Sequence, residues 1–259
     1  MELIQDNRIY IIMPSKHAMC SPSAFNRWAN CPASAKQNQI FRGESSYAAV
    51  EGTVCHEIAE MGLKELVQGV SLEDYWLGRD VEVDNINVKV TQTLIDTAKV
   101  HIEYCRERER ELEGRLLIEE QVEMNEISDA VWGTSDTLIL SKKEFNTIEI
   151  VDFKAGKWPV KVDNNPQLKI YGLGALSRYG NENTKIIMTI VQPRTPGNKP
   201  KINSTETTAE ALVDWGYSTL KDAVERCLED EPAYKAGDWC RFCAYKEHCD
   251  EFKNTFTKE

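Results

Sequence analysis

Two aspartates sixteen residues apart, with a lysine two places beyond the second, are the residues of this chain best suited to chemistry. The first lies in Gly133-Thr134-Ser135-Asp136, which opens the apolar run Thr137-Leu138-Ile139-Leu140. The second lies in Ile150-Val151-Asp152-Phe153-Lys154, which closes an alternating run that begins at Thr147. Paired carboxylates hold a hard divalent cation. A lysine beside them can orient or deprotonate water and offset charge in a transition state. Together these are the groups that metal-assisted phosphodiester hydrolysis requires. Taken alone, an Asp-x-Lys fits an exposed hairpin with surface charges equally well.

Other residues could join that centre. His56, followed by Glu57 in a helical stretch, could add a neutral nitrogen ligand, which suits Mn²⁺ as well as Mg²⁺. Gln167 and Tyr171 are four residues apart on a helix, so they share a face just beyond the lysine, where an amide and a phenol could touch a phosphate or place the water. A satisfied surface histidine and a core tyrosine are the plain structural readings. Among the eight cysteines, Cys240-x2-Cys243-x5-Cys249 forms a tight group, and Cys31 stands alone in Trp28-Ala29-Asn30-Cys31-Pro32. Three clustered thiolates need a fourth ligand to complete a site for zinc or an iron–sulfur cluster. His248 is an awkward candidate because it adjoins Cys249. Cys20, Cys55, Cys105 and Cys227 read as solitary.

The elements that must position these groups follow from periodicity. Ser21-Pro22-Ser23 caps a short helix through Trp28, ended by Pro32 near Cys31. Helices are expected over 47–68, stopped by Gly69, and over 88–112, ending in the charge run Arg106–Glu111, a solvated face. Strands are expected over 116–124, 133–140, 147–153 and 185–192, with 199–204 pairing beside the last. Helices over 165–179 and 207–228 complete the pattern. This is an α/β or α+β chain with a mostly antiparallel sheet.

Composition bounds the class. The 259 residues are 41% hydrophobic and 28% charged, as in a globular protein with ample core, and no segment approaches the roughly 20 apolar residues of a membrane span. No secretory signal is evident in residues 1–12, which predicts an intracellular protein. The net charge of −11 argues against nucleic acid, yet Lys142 to Lys201 carries eleven basic against five acidic residues.

In order, Cys31, Gly52-x3-His56-Glu57, Gly133-Thr134-Ser135-Asp136, Asp152-Phe153-Lys154, Gln167-x3-Tyr171 and Cys240-x2-Cys243-x5-Cys249 resemble the PD-(D/E)XK nuclease superfamily. The likeness is to its RecB-like branch with a four-cysteine iron–sulfur cluster, which includes CRISPR-adaptation exonucleases, the AddB nuclease domain and phage-encoded relatives. It spans Ser21 to Cys249. Ser135 stands where the superfamily has Pro, and Asp152 takes the Asp form of its variable acid.

The resemblance implies a restriction-endonuclease-like core, a central mixed sheet flanked by helices, over residues 21–259 after an N-terminal extension of 1–20. It implies His56, Asp136, Asp152 and the Phe153 carbonyl as ligands of Mg²⁺ or Mn²⁺. Lys154 would be the catalytic lysine, and Gln167 and Tyr171 the residues that place substrate and lysine. Cys31, Cys240, Cys243 and Cys249 would hold a 4Fe–4S cluster that joins the two ends of the chain. The implied activity is metal-dependent DNA exonuclease action on ends or single strands, in phage or mobile-element recombination, with a phage single-strand annealing or DNA-binding protein as partner. The rival expectations are a CRISPR-adaptation nuclease and a non-catalytic zinc or iron–sulfur module that binds nucleic acid.

Overall fold

A computed structural model describes residues 8–11, 18–66, 69–141, 143, 146–199 and 201–256. Its centre is a five-stranded mixed sheet. Strands β4 (Arg115–Glu123), β5 (Trp132–Ser141) and β6 (Thr147–Phe153) form an antiparallel meander. The chain then crosses through helix α6 (Pro166–Tyr179) to β7 (Lys185–Val191), which lies parallel to β6, and turns back into antiparallel β8 (Ile202–Thr208). The order is β4-β5-β6-β7-β8. Every residue of β6 is buried, as expected of a central strand covered on both faces.

Helices form the covering layers. On one face α6 packs Leu168, Ile170 and Leu173 against Leu138, Ile150 and Ile186, joined by Trp28 of α1 (Phe25–Asn30) and Val224 of α8 (Lys221–Leu228). On the other, α3 (Tyr47–Leu63) and α5 (Gln92–Glu111) pack Val54, Ile58, Ile95 and Ala98 against Ile139, Val151 and Phe153. The expected mixed sheet flanked by helices is therefore what the chain forms. Among the described residues no helix is long and apolar enough to cross a membrane.

Four local expectations are corrected. Helix α5 begins at Gln92 after Thr91, not at Val88, because residues 80–89 form a hairpin of β2 (Asp80–Val83) and β3 (Ile86–Lys89). Asp84 and Asn85 at its tip have φ of 48° and 62°, the left-handed pair that suits a tight two-residue turn. Helix α3 ends at Leu63, before Gly69. Glu65 takes φ 53° and the Leu66 N–H donates to the Met61 carbonyl at 3.2 Å, a Schellman-type closure made without glycine. The expected end at Val67–Gln68 lies outside the described residues. Pro32 closes α1 but also opens a further helix, α2 (Ala33–Ile40), which leaves Cys31 at the junction. The helix expected over 207–228 is α7 (Ala209–Trp215) and α8, joined by a π-helical turn at Gly216–Leu220.

Short α4 (Leu72–Trp76) leads into the hairpin, and α9 (Asp250–Phe256) follows the cysteine segment. Most of the expected N-terminal extension lies outside the described residues. Within it, β1 (Arg8–Tyr10) pairs in parallel with β2, so this part joins a small second sheet.

Candidate metal centre and cysteine cavity

Antiparallel register carries the acidic residues into one row across the strands. Ile118 faces Thr137 and Glu120 faces Ser135, so Glu119 stands opposite Asp136. Thr137 faces Val151 in the last pair of the next ladder, so Asp136 stands opposite Asp152. There the ladder opens, and the Asp136 side chain takes over from a strand partner: Oδ2 accepts the Phe153 N–H at 2.6 Å. Oδ1 lies 3.4 Å from Nδ1 of His56 on α3. Ligand atoms of His56, Glu119 and Asp136 all lie within 4.8 Å of one another.

Glu119 is the residue that sequence reasoning missed. Its φ of 53°, inside a strand, is in the left-handed region. This reverses the side-chain alternation of β4. Ile118 packs against the α3/α5 core while Val122, an even step away, packs in the α6 core. Unbroken alternation would put both on one face. The sequence signal was available only through hairpin register, by counting back across the β4–β5 connection.

Lys154 lies one residue beyond β6, its N–H continuing the ladder to the Val191 carbonyl at 2.9 Å. Its Nζ donates to Asp152 Oδ1 at 3.0 Å and to Gln167 Oε1 at 3.1 Å. The Gln167 amide donates to the same Asp152 oxygen at 3.0 Å and to the Tyr171 hydroxyl at 3.3 Å. Gln167 is fixed in the first turn of α6, where the Asn165 side chain accepts the N–H groups of Gln167 and Leu168 and Pro166 pre-sets the helix. Asp152 Oδ2 lies 2.8 Å from the same ammonium, so Lys154 ion-pairs with both carboxylate oxygens.

The expected residues His56, Asp136, Asp152, Lys154, Gln167 and Tyr171 thus converge, and Glu119 joins them. Asp152 lies outside the tight ligand group, engaged by Lys154 and Gln167, and Glu119 takes that place. Phe153 meets Asp136 through its N–H. Its ring is buried between His56, 5.0 Å away, and His101, stacked at 4.9 Å. Gly133 also has a reason: a Cβ there would lie 2.9 Å from Pro22 and 3.1 Å from the Tyr171 ring. Ser135, where the resemblance leads one to expect Pro, is fully buried with an unpartnered hydroxyl.

Charges in the centre are strongly polarised. Burial, reinforced by Asp136, pushes Glu119 up to about 7. Burial opposes the charged form of Asp136, but His56 and Lys154 hold it down at about 2. Burial raises Asp152 despite Lys154. Burial also lowers His101 to about 4, leaving a neutral imidazole whose Nε2 is 3.2 Å from Thr137 Oγ1.

A second constellation joins the chain's ends. Cys31, Cys240, Cys243 and Cys249 line one small cavity. Cys31 Sγ accepts the Lys235 N–H at 3.4 Å and Cys243 Sγ accepts from the Asn38 amide at 3.4 Å. Asn38 Oδ1 in turn accepts from Arg27 at 2.8 Å and from the Ala244 N–H at 3.1 Å, fastening α2 to the C-terminal segment. Among the described residues no three of the four sulfurs lie within 4.8 Å of one another. His248 is not part of the lining; its ring is 5.1 Å from Phe41. Cys55 and Cys105 are buried in the α3/α5 core. Cys20 and Cys227 are buried on the α6 side, where the Cys227 thiol donates to the Trp28 carbonyl at 3.5 Å.

The family model described as "Protein of unknown function (DUF2800)" matches residues 17–258. The chain belongs to that family. Two solved structures share a low likeness. One, from Eubacterium rectale and described as "Putative exonuclease", is 12% identical with a TM-score of 0.46, covering 92% of this chain and 88% of that chain. The other, described as SSO0001, is 13% identical with a TM-score of 0.38, covering 96% and 88%. At these scores the likeness carries no argument about function.

Proposed function

We propose that the chain is a metal-dependent deoxyribonuclease, acting as an exonuclease on DNA ends or single strands. The carrying observation is the row Glu119–Asp136–Asp152, with His56 at one end and Lys154 and Gln167 at the other. The donor set fits a hard or borderline divalent cation: one imidazole and two carboxylates in close reach, with the Asp152 carboxylate next in the row. When bound, Mg²⁺ or Mn²⁺ supplies Lewis acidity toward the phosphate and the attacking water.

The chain's own residues do the rest. His56, Glu119 and Asp136 bind the cation and Asp152 stands beside them. Lys154, held at fixed distances by Asp152 and Gln167, presents an ammonium to the negative charge that builds on the phosphate. Gln167 and Tyr171 keep that lysine from swinging, and the Phe153 ring closes the floor against water.

The four cysteines are read as ligands of a 4Fe–4S cluster. A tetrahedral zinc site, with Zn–S near 2.3 Å, holds its sulfurs roughly 3.8 Å apart. No three of the four sulfurs lie within 4.8 Å of one another, and two of them already receive N–H donors, as cluster thiolates do. The cluster's place in the fold supports a structural role tying α1 and α2 to residues 240–249. Phage or mobile-element DNA processing is the setting we infer, with DNA as the partner. The test is release of nucleotides from labelled DNA by purified protein with Mg²⁺ or Mn²⁺. Loss in Lys154→Ala supports the reading, and cleavage unchanged in excess EDTA rules it out.

A further inference from the structure

Two large rings stand in solvent, one of them on the loop that follows Lys154. Trp158 is 76% exposed and Phe242 is 81% exposed. The Arg241 guanidinium lies 5.3 Å from the centroid of each, within cation–π range. Among the described residues no carboxylate pairs with Arg241, so its charge is available to a ligand.

Both rings are carried on fixed backbone. Trp158 is four residues past Lys154, which limits the separation of their Cα atoms to about 14 Å. Its loop is held by buried Gln192, whose amide donates to the carbonyls of Gly156 at 2.9 Å and Trp158 at 2.6 Å and accepts the Val160 N–H at 3.0 Å. Phe242 lies between Cys240 and Cys243, at the end of the turn Asp238–Phe242. Its carbonyl accepts from Arg27 at 3.4 Å. Both rings are thus held exposed on ordered backbone, as a binding surface would present them.

Rigid exposed rings flanking an arginine suit unstacked bases. Every base offers a π-face, and the guanidinium can take a phosphate or stack in turn. In a duplex the base faces are occupied by their neighbours, so only a single strand can use this surface. We infer that Trp158, Arg241 and Phe242 form a stacking platform for single-stranded DNA, gripping nucleotides next to the phosphate presented to Lys154. The placement beside Lys154 rests on the nuclease reading; the platform rests on the rings.

The test is fluorescence anisotropy of a labelled 20-nucleotide thymidine strand, with divalent cation withheld, against a blunt 20-base-pair duplex. Wild type, Trp158→Ala, Phe242→Ala, the double variant and Trp158→Phe are compared, with sedimentation of each protein. Each alanine should weaken single-strand binding tenfold or more. Duplex binding should stay within twofold, and Trp158→Phe should retain most of the affinity. Equal single-strand binding by wild type and double variant would overturn the platform. So would equal losses for strand and duplex, or a change in sedimentation with binding intact, which would make the face a contact between copies. Manganese-dependent cleavage by the wild type is scored separately. Ring-dependent binding without cleavage leaves the platform standing and removes the nuclease reading, whereas cleavage with ring-independent binding does the reverse.

Discussion

Asp152 Oδ1 accepts from both Lys154 and Gln167, and the same ammonium lies 2.8 Å from Oδ2. Asp152→Asn keeps the shape and removes the charge. We expect DNA cleavage to fall by about a thousandfold, with the thermal midpoint within a few degrees of wild type. An unfolded variant, or one of undiminished activity, would contradict this. Glu119→Gln should weaken Mn²⁺ binding, read by titration calorimetry, by about tenfold or more. Unchanged Mn²⁺ affinity would remove Glu119 from the ligand set. At this scale most of the centre was legible: Asp-x-Lys, the upstream Asp and the Gln–Tyr helix pair are marked by local spacing. Glu119 was not, because its neighbour Glu120 is equally acidic and nothing in the residue types tells which faces inward.

The β4–β5–β6 meander turns that spacing into a row, and its irregular point is Glu119. A side chain at φ 53° in a strand is strained by about 1–3 kcal/mol, and glycine would relieve that strain. Glu119→Gly should therefore match or exceed wild-type thermal stability while losing metal affinity. Glu119→Val, whose β-branched side chain resists this conformation, should lose both. Calorimetric scans of the two variants check the pair, and equal midpoints would show that the backbone there is not strained. β5, β6, β7 and α6 were readable because each has one unambiguous period and clear end signals, such as Asn165-Pro166. The β2–β3 hairpin was not, because Val88 and Val90 blend into the helical pattern of α5. Pro32 was seen only as a stop, although it also begins α2.

Across the whole molecule, residue 31 must meet residues 240–249, more than two hundred positions away, and no periodicity predicts such a meeting. The spacing of the trio signalled a site, and resemblance supplied its fourth member. The structure gathers all four around one cavity. Cys31→Ser should lose iron from anaerobically prepared protein and lower the thermal midpoint, because cluster binding contributes to folding free energy. Cys105→Ser, buried in the opposite core, should keep its iron. Full iron in Cys31→Ser would move the ligand assignment elsewhere.

We propose that these residues hydrolyse DNA with a divalent cation. The most direct test is single-turnover digestion of an end-labelled DNA strand by anaerobically purified wild type and Lys154→Ala, each with Mn²⁺ and with EDTA. Wild type should release nucleotides with Mn²⁺ alone, with none above background from Lys154→Ala or in EDTA. Equal digestion by both proteins, or digestion that persists in EDTA, would contradict it.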